Sequence, residues 1–267
     1  MNWKKIIIVG GTRGFGFELA KEFVSLGAHI VITGRRRIDA EEAARKIAQF
    51  NAYPGKVDAA EADINSFTSL VKLQAEALTM LGSIDILVVN AGISQTPAKA
   101  WLSNQADIAH VLSTDLIGPM YAVRAFMPRM VSEGYGSIWF IEGLGSNGMQ
   151  VERFSLYGTS KRGLAYYWRA LAKESEGTGV SICALSPGMM ITDFLMDNLN
   201  YEDKEKRAKT IRLYNILADK PGTVAHYSAP KIISNRRNGR LVKWLTTPKV
   251  IVRFLCASFL KRDIVSP

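Results

Sequence analysis

The chain of 267 residues is long enough for one α/β domain or two small ones, and its 48% hydrophobic content supplies a sizeable core. Two cysteines, Cys183 and Cys256, and three scattered histidines exclude a disulfide framework and a zinc cluster, so no metal is expected and a reducing, cytoplasmic setting is the simplest reading. The net charge of +10 sits mostly at one end, where nine Lys and Arg from Lys231 onward face a single acid, Asp263; no nucleic-acid module accompanies that tail, so no nucleic acid is expected as a partner.

In chain order, "MNWKKIIIVGG" passes from a basic pair directly into a buried strand, so no signal or transit peptide is expected within it. "GFELAKEFVSLGA" has apolar residues at helical spacing and stops at Gly27. "HIVITGRR" reads as a strand, "DAEEAARKIAQF" as a helix and "KVDAAEADI" as a weaker strand. Asn65 and Ser66 then open the helix "FTSLVKLQAEALTML". "IDILVVNAG" is apolar and β-branched, as a central strand would be, and a long helix runs on through "VLSTDLIGPMYAVRAFMPRM". "GSIWFIEG" and "GVSICALSPG" are further strands, separated by a helix from about Ser155 to Glu174. Strands alternating with helices of this length predict an α/β fold: a single Rossmann-type, doubly wound parallel sheet with helices on both faces.

Past Pro187 the pattern loosens. "NYEDKEKRAKTIRLYNILA" reads as a charged helix, "KPGTVAHYSAPKIIS" as another begun by Pro221, and "GRLVKWL" as a last strand. "PKVIVRFLCASFLKR" is an apolar helix with basic flanks, shorter than the roughly 20 apolar residues a membrane span needs. The organisation expected is a Rossmann domain over 1–235 and a basic, partly helical extension over 236–267, packed on the core, on a partner or on a bilayer surface.

The loop "VGGTRGFG" joins the first strand to the first helix. There Gly10 permits a tight turn, Gly14 lets the backbone approach a pyrophosphate, and Gly16 lets the helix pack close to the sheet. Thr12, Arg13 and Phe15 belong to the same cofactor loop, whose phosphates meet the free N–H groups of the helix. At the end of the second strand an acid would bind a ribose 2′-hydroxyl. Gly34 stands there, followed by Arg35, and Arg35 with Arg13 favours NADPH/NADP+ over NAD(H). A solvated loop accounts for Arg36 and Arg37 better than for Arg35.

With "GGTRGFG", Asp63 in "ADI", "VNAG" at 89–92, "YGTSK" at 157–161 and "SPGMMIT" at 186–192, the chain resembles the short-chain dehydrogenase/reductase family from Lys4 to about Thr192. The resemblance implies that Asp63 and Ile64 hold the adenine, and that Asn90, Ala91 and Gly92 steady the sheet beneath the cofactor. It places Pro187, Gly188 and Thr192 at the nicotinamide end, and Lys161 on the nicotinamide ribose. It also implies a homodimer or homotetramer. The chemistry of Tyr157 and Lys161 stands on its own: spaced i and i+4, both point the same way, and the ammonium is expected to lower the tyrosine pKa. Tyr157 then donates a proton to a carbonyl oxygen as hydride arrives.

Two positions depart from the family pattern. Asp115 in "DLIG" replaces an asparagine of the proton relay, and Gly143 occupies the place of the usual serine. Ser146 and Ser155 are the nearest hydroxyls. The loop "IEGLGSNG", with "LYGTSKRGL", "LSPGMMITDFL", the PGTVA helix start and the basic tail, is most similar to the chlorophyll(ide) b reductase branch. That likeness implies NADPH-dependent reduction of a macrocycle's formyl group to hydroxymethyl, with the glycine loop making room for a large flat ring. Tyr157, Lys161, Asp115, Gly143 and Ser146 form the expected catalytic set. The tail would add peripheral membrane contact. Competing readings are reduction of a lipid or steroid ketone, of the 3-keto sphingoid type, and a non-catalytic NADPH-binding protein.

Overall fold

The β-branched runs become the interior of one parallel sheet. In the computed structural model, which describes residues 4–50, 55–196, 204–257, 259 and 262–265, the strands are β1 (Lys5–Val9), β2 (His29–Gly34), β3 (Lys56–Glu61), β4 (Ile86–Val89), β5 (Gly136–Ile141), β6 (Val180–Ser186) and β7 (Leu241–Lys243). They lie in the order β3-β2-β1-β4-β5-β6-β7, and every neighbouring pair is parallel. Side chains alternate across the sheet, so Ile6 and Ile8 enter one core layer while Ile7 and Val9 enter the other.

The first layer lies under α1 (Gly14–Ser25), α2 (Arg37–Gln49) and α9 (Pro221–Ile233), with Phe23, Ile47 and Ile232 buried in it. The second lies under α3 (Phe67–Leu81), α5 (Gly118–Glu133) and α6 (Ser155–Glu174), with Leu70, Phe126 and Trp168. The expected start of α3 is present, the Ser66 hydroxyl accepting from the Ser69 N–H, and Gly82 closes the helix at φ 76°. This is the doubly wound fold expected.

Two elements differ from the sequence reading. The long helix before β5 is split: α4 (Gln105–Leu112) passes through a π-helical turn at Ser113–Ile117 before α5 begins. A turn of that kind interrupts the regular helical hydrogen bonding, and Asp115 sits within it. The other difference is at the tail. β7 is a full member of the sheet, pairing with β6 from Ala184 to Ser186, although it lies beyond residue 235.

Three further helices are α7 (Asp193–Met196), α8 (Lys204–Leu217) and α10 (Thr247–Cys256). Asn200–Asp203 of the charged segment, and Ser258, Leu260 and Lys261 of the apolar one, lie outside the described residues. A small third core joins Met189, Ile191, Leu195 and Met196 to Ile211, Tyr214 and Val265. Among the described residues no helix is long and apolar enough to cross a membrane.

Candidate active site

The strand order reverses at β1, which has β2 on one side and β4 on the other. A crevice opens there at the carboxyl ends of the strands. Gly10 turns the chain at φ 87°, and a Cβ on it would come within 2.8 Å of the Ala91 backbone. Gly14 is also left-handed, at φ 58°. A Cβ on Gly16 would strike the Gly10 carbonyl oxygen and reach 2.5 Å from Asn90 Nδ2, which itself donates to that oxygen at 2.6 Å. Helix α1 starts without a side-chain cap, leaving its first N–H groups for a ligand. These features fit a dinucleotide pyrophosphate.

Around this cradle, Thr12 closes the place where an acid would stand, because a Cβ on Gly34 would lie 2.7 Å from its methyl group. Arg36 bonds Asp39 at 2.7 Å and Arg37 bonds Glu76 at 2.6 Å. The side chains of Arg13 and Arg35 are exposed, and Arg35 adds to the pull of Arg36 that holds the Asp39 carboxyl below its ordinary range. Phe15 is buried in the core beneath the loop, so only its backbone faces the crevice. Asp63 accepts from the Asn65 N–H at 2.9 Å and Ile64 is buried, which fixes the turn into α3. Across from the glycine loop, Thr192 brings its methyl 3.9 Å from where a Gly14 Cβ would be. Pro187 is buried and Gly188 exposed at φ 71° on the same segment.

Gly92 leads from this crevice to the catalytic pair. A Cβ on it would lie 3.3 Å from Asp115 Oδ1 and 3.4 Å from Lys161 Nζ. Tyr157 and Lys161 are both 7% exposed on α6, with the ammonium 5.5 Å from the tyrosine ring centre. Asp115 is fully buried; its Oδ1 accepts from the Ile93 N–H at 2.8 Å and its Oδ2 lies 3.5 Å from Lys161 Nζ. Burial, opposed by Lys161, pushes the Asp115 carboxyl above its ordinary range.

The tyrosine differs from expectation. Burial first, and then the negative charge of Asp115, hold its hydroxyl well above the usual tyrosine range. Burial outweighs the lowering expected from Lys161. Tyr157 is therefore a proton holder.

The glycine loop is corrected as well. No wide wall stands at Gly143: a Cβ there would collide with Tyr157 Oη and sit 3.2 Å from Lys161 Cγ. A Cβ on Gly145 would come 2.6 Å from the Gly158 Cα. Both glycines let the loop lie directly on α6. Ser146 is buried and spent on the backbone, accepting from the Gly143 N–H at 3.1 Å and donating to the Lys161 carbonyl at 3.3 Å. Ser155 is exposed at the start of α6. Glu142 fastens the loop from the other side, accepting from Trp168 Nε1 at 3.1 Å and Arg169 Nη2 at 3.0 Å.

Sequence reasoning missed Gln95 and Arg153. The buried Gln95 amide accepts the Tyr157 N–H at 2.6 Å and donates to the Arg153 carbonyl at 2.8 Å. Arg153, at φ 69°, donates in turn to the Pro97 carbonyl at 3.0 Å. Together they staple the loop after β4 to the loop before α6. Neither residue belongs to a motif, and no local signal marks them.

A glycine-lined crevice at a strand-order reversal, with a buried Tyr–Lys pair at its end, defines a dinucleotide-binding oxidoreductase. The family profile described as short chain dehydrogenase matches residues 4–203, and the chain belongs to that family. It is 28% identical to the probable chlorophyll(ide) b reductase NYC1 of Arabidopsis thaliana, over 97% of this chain and 54% of that protein. It is 30% identical to the chlorophyll(ide) b reductase NOL of the same plant, over 93% of this chain and 72% of that one. The chain thus spans about half the length of the first of these curated relatives. In fold it is similar to an actinorhodin polyketide ketoreductase solved with NADPH, at a TM-score of 0.79 and 20% identity, over 91% of this chain and 95% of the other.

Proposed function

We propose that the chain is an NADPH-dependent carbonyl reductase for a bulky apolar substrate, most concretely the formyl group of a chlorophyll(ide) b-type macrocycle, reduced to hydroxymethyl. The observation that carries the reaction is the buried Tyr157 hydroxyl beside Lys161, at the end of the dinucleotide crevice. The exposed Arg13 and Arg35, with Gly34 closed by Thr12, support a 2′-phosphate over a free 2′-hydroxyl. Likeness to the chlorophyll(ide) b reductases supports the substrate class. So do Trp101, Leu102, Met149 and Val151, all exposed on or beside the two loops stapled by Gln95 and Arg153.

The cofactor, when bound, supplies hydride. Tyr157 Oη keeps its proton until the substrate oxygen gains charge, then donates it. Lys161, close to the ring, stabilises the phenolate left behind, and Asp115 keeps that ammonium in place. The tail contributes surface contact to the same reading. Ile251, Phe254 and Leu255 form an exposed stripe on α10, flanked by basic residues, as in helices that lie on anionic lipid. A homodimer or homotetramer through the α5 and α6 faces, where Tyr121 and Tyr166 are exposed, completes it.

The test is NADPH oxidation with chlorophyll b or chlorophyllide b, in wild type and in Tyr157→Phe. Turnover should fall by about a thousandfold or more in the variant, while NADPH affinity stays within about threefold. Tight NADPH binding with no turnover by the wild type would return the chain to a non-catalytic role.

A further inference from the structure

Among the described residues, the most densely bonded carboxylate is Asp219, just before α9. Its side chain is 8% exposed, and it accepts from Trp244 Nε1 at 2.6 Å, from Arg253 Nη2 at 2.7 Å and from Arg262 Nη2 at 2.6 Å. All three donors come from the C-terminal 24 residues of the chain. The same arginines reach the end of α8: Arg253 donates to the Leu217 carbonyl at 2.8 Å, and Arg262 to those of Ile216 and Ala218 at 2.7 and 2.8 Å. Cations there satisfy the orphan carbonyls at a helix C-terminus.

The backbone of Asp219 faces the other way. Its N–H donates to the Met189 carbonyl and its carbonyl accepts from the Ile191 N–H, each at 3.0 Å, forming a one-residue parallel bridge with Met190. Met189–Ile191 lie between Gly188 and Thr192, on the segment that faces the glycine loop. Val265 closes the arrangement: it packs with Met189 and Ile191, while Asn215 accepts the Ile264 and Val265 N–H groups at 2.9 and 2.7 Å. Residue 219 thus joins the tail, through its side chain, to the 186–192 segment, through its backbone.

We propose that Asp219 is a positioning residue of the substrate site, and that the basic tail holds the 186–192 segment at a fixed distance from the cofactor crevice. Two guanidiniums share this one carboxylate, so neutralising it leaves two close, partly buried positive charges without compensation. Displacing the bridge moves Thr192 relative to Gly14, and moves Met189 and Ile191 relative to whatever packs on them. The effect therefore scales with the size of the substrate. The catalytic part of this inference rests on the carbonyl reductase reading; the cofactor part does not.

The experiment compares wild type, Asp219→Asn and Arg262→Ala. NADPH affinity is read by fluorescence titration, and KM and kcat are read with chlorophyllide b and with a small water-soluble aldehyde. In Asp219→Asn, NADPH should bind about fivefold more weakly, and the KM for the macrocycle should rise about tenfold against about twofold for the small aldehyde, with kcat little changed. Arg262→Ala, which leaves Arg253 on the carboxylate, should move the same quantities by about half as much on a logarithmic scale. It decides the matter if Asp219→Asn does not fold. Unchanged NADPH affinity in a folded variant, or an equal loss for both substrates, would overturn the proposal. If the wild type turns over neither carbonyl, the reductase reading fails and the NADPH titration still decides the clamp.

Discussion

The two halves of the sheet carry two differently built halves of the site. From β1 to β4 the site is made of backbone: a glycine turn, an uncapped helix start and Asn90 bracing the Gly10 carbonyl. From β5 to β7 it is made of packing and long-range polar clamps. Gly143 and Gly145 lie on α6, Gln95 reaches Tyr157 across 62 positions, and Arg262 reaches Asp219 across 43. A pyrophosphate asks for the same backbone in any protein, so the first half is written in contiguous motifs. The carbonyl half must fit one substrate, and its fit is assembled from residues that meet only in the folded chain.

The largest test of this contrast is on the cofactor side. Arg35→Asp should weaken NADPH by about a hundredfold while leaving NADH within about threefold, as titrations with both nucleotides would show. A local motif predicts so selective a loss; equal losses would mean that Arg35 is only a solvated neighbour of Arg36 and Arg37. On the other side, Gly143→Ser restores the residue that the family pattern expects. Because its Cβ meets Tyr157 Oη, it should lower kcat by about thirtyfold, with a fall in melting temperature. A gain in activity would show that Tyr157 yields easily, and that the glycine serves to keep the pocket open.

Much of the fold was legible beforehand. The strands were written as β-branched runs, Ser66 opened α3, and α6 began and ended where its apolar period did. The glycine loop was equally plain. The π-helical turn at Ser113–Ile117 was not, since its residues suit an α-helix as well. Tyr157's raised pKa was hidden for a related reason: i,i+4 spacing shows that Lys161 is near, but not that Asp115 holds it or that both are buried. "IEGLGSNG" read as an open wall because glycine lacks a side chain. In the fold that lack permits contact.

Asp115→Asn addresses the electrostatics of the carbonyl half. The substitution removes the charge that, after burial, raises the Tyr157 pKa, so the phenol becomes a stronger acid and loses its proton at lower pH. The alkaline limb of the kcat–pH profile should move toward neutral, with a loss of about threefold in kcat at neutral pH as Lys161 becomes less well held. A limb that stays in place would show that burial alone sets the tyrosine.

The smallest effect separates a structural hydroxyl from a catalytic one. Ser146 is the buried hydroxyl of the glycine loop, and its role in the absence of a serine at 143 is open to direct measurement. Its hydrogen bonds go to the Gly143 N–H and the Lys161 carbonyl, both backbone groups. Ser146→Ala takes the partner from the Gly143 N–H, which costs about 1–2 kcal/mol of stability. Tyr157 is held separately by Gln95, so kcat should stay within about twofold of wild type. A hydroxyl that instead bound the developing oxyanion would show the reverse pattern, a loss of about a hundredfold in kcat with little change in melting temperature. Thermal melts and steady-state rates on the one variant decide whether the carbonyl half works with Tyr157 as its sole hydroxyl acid or recruits a second from the loop packed against it.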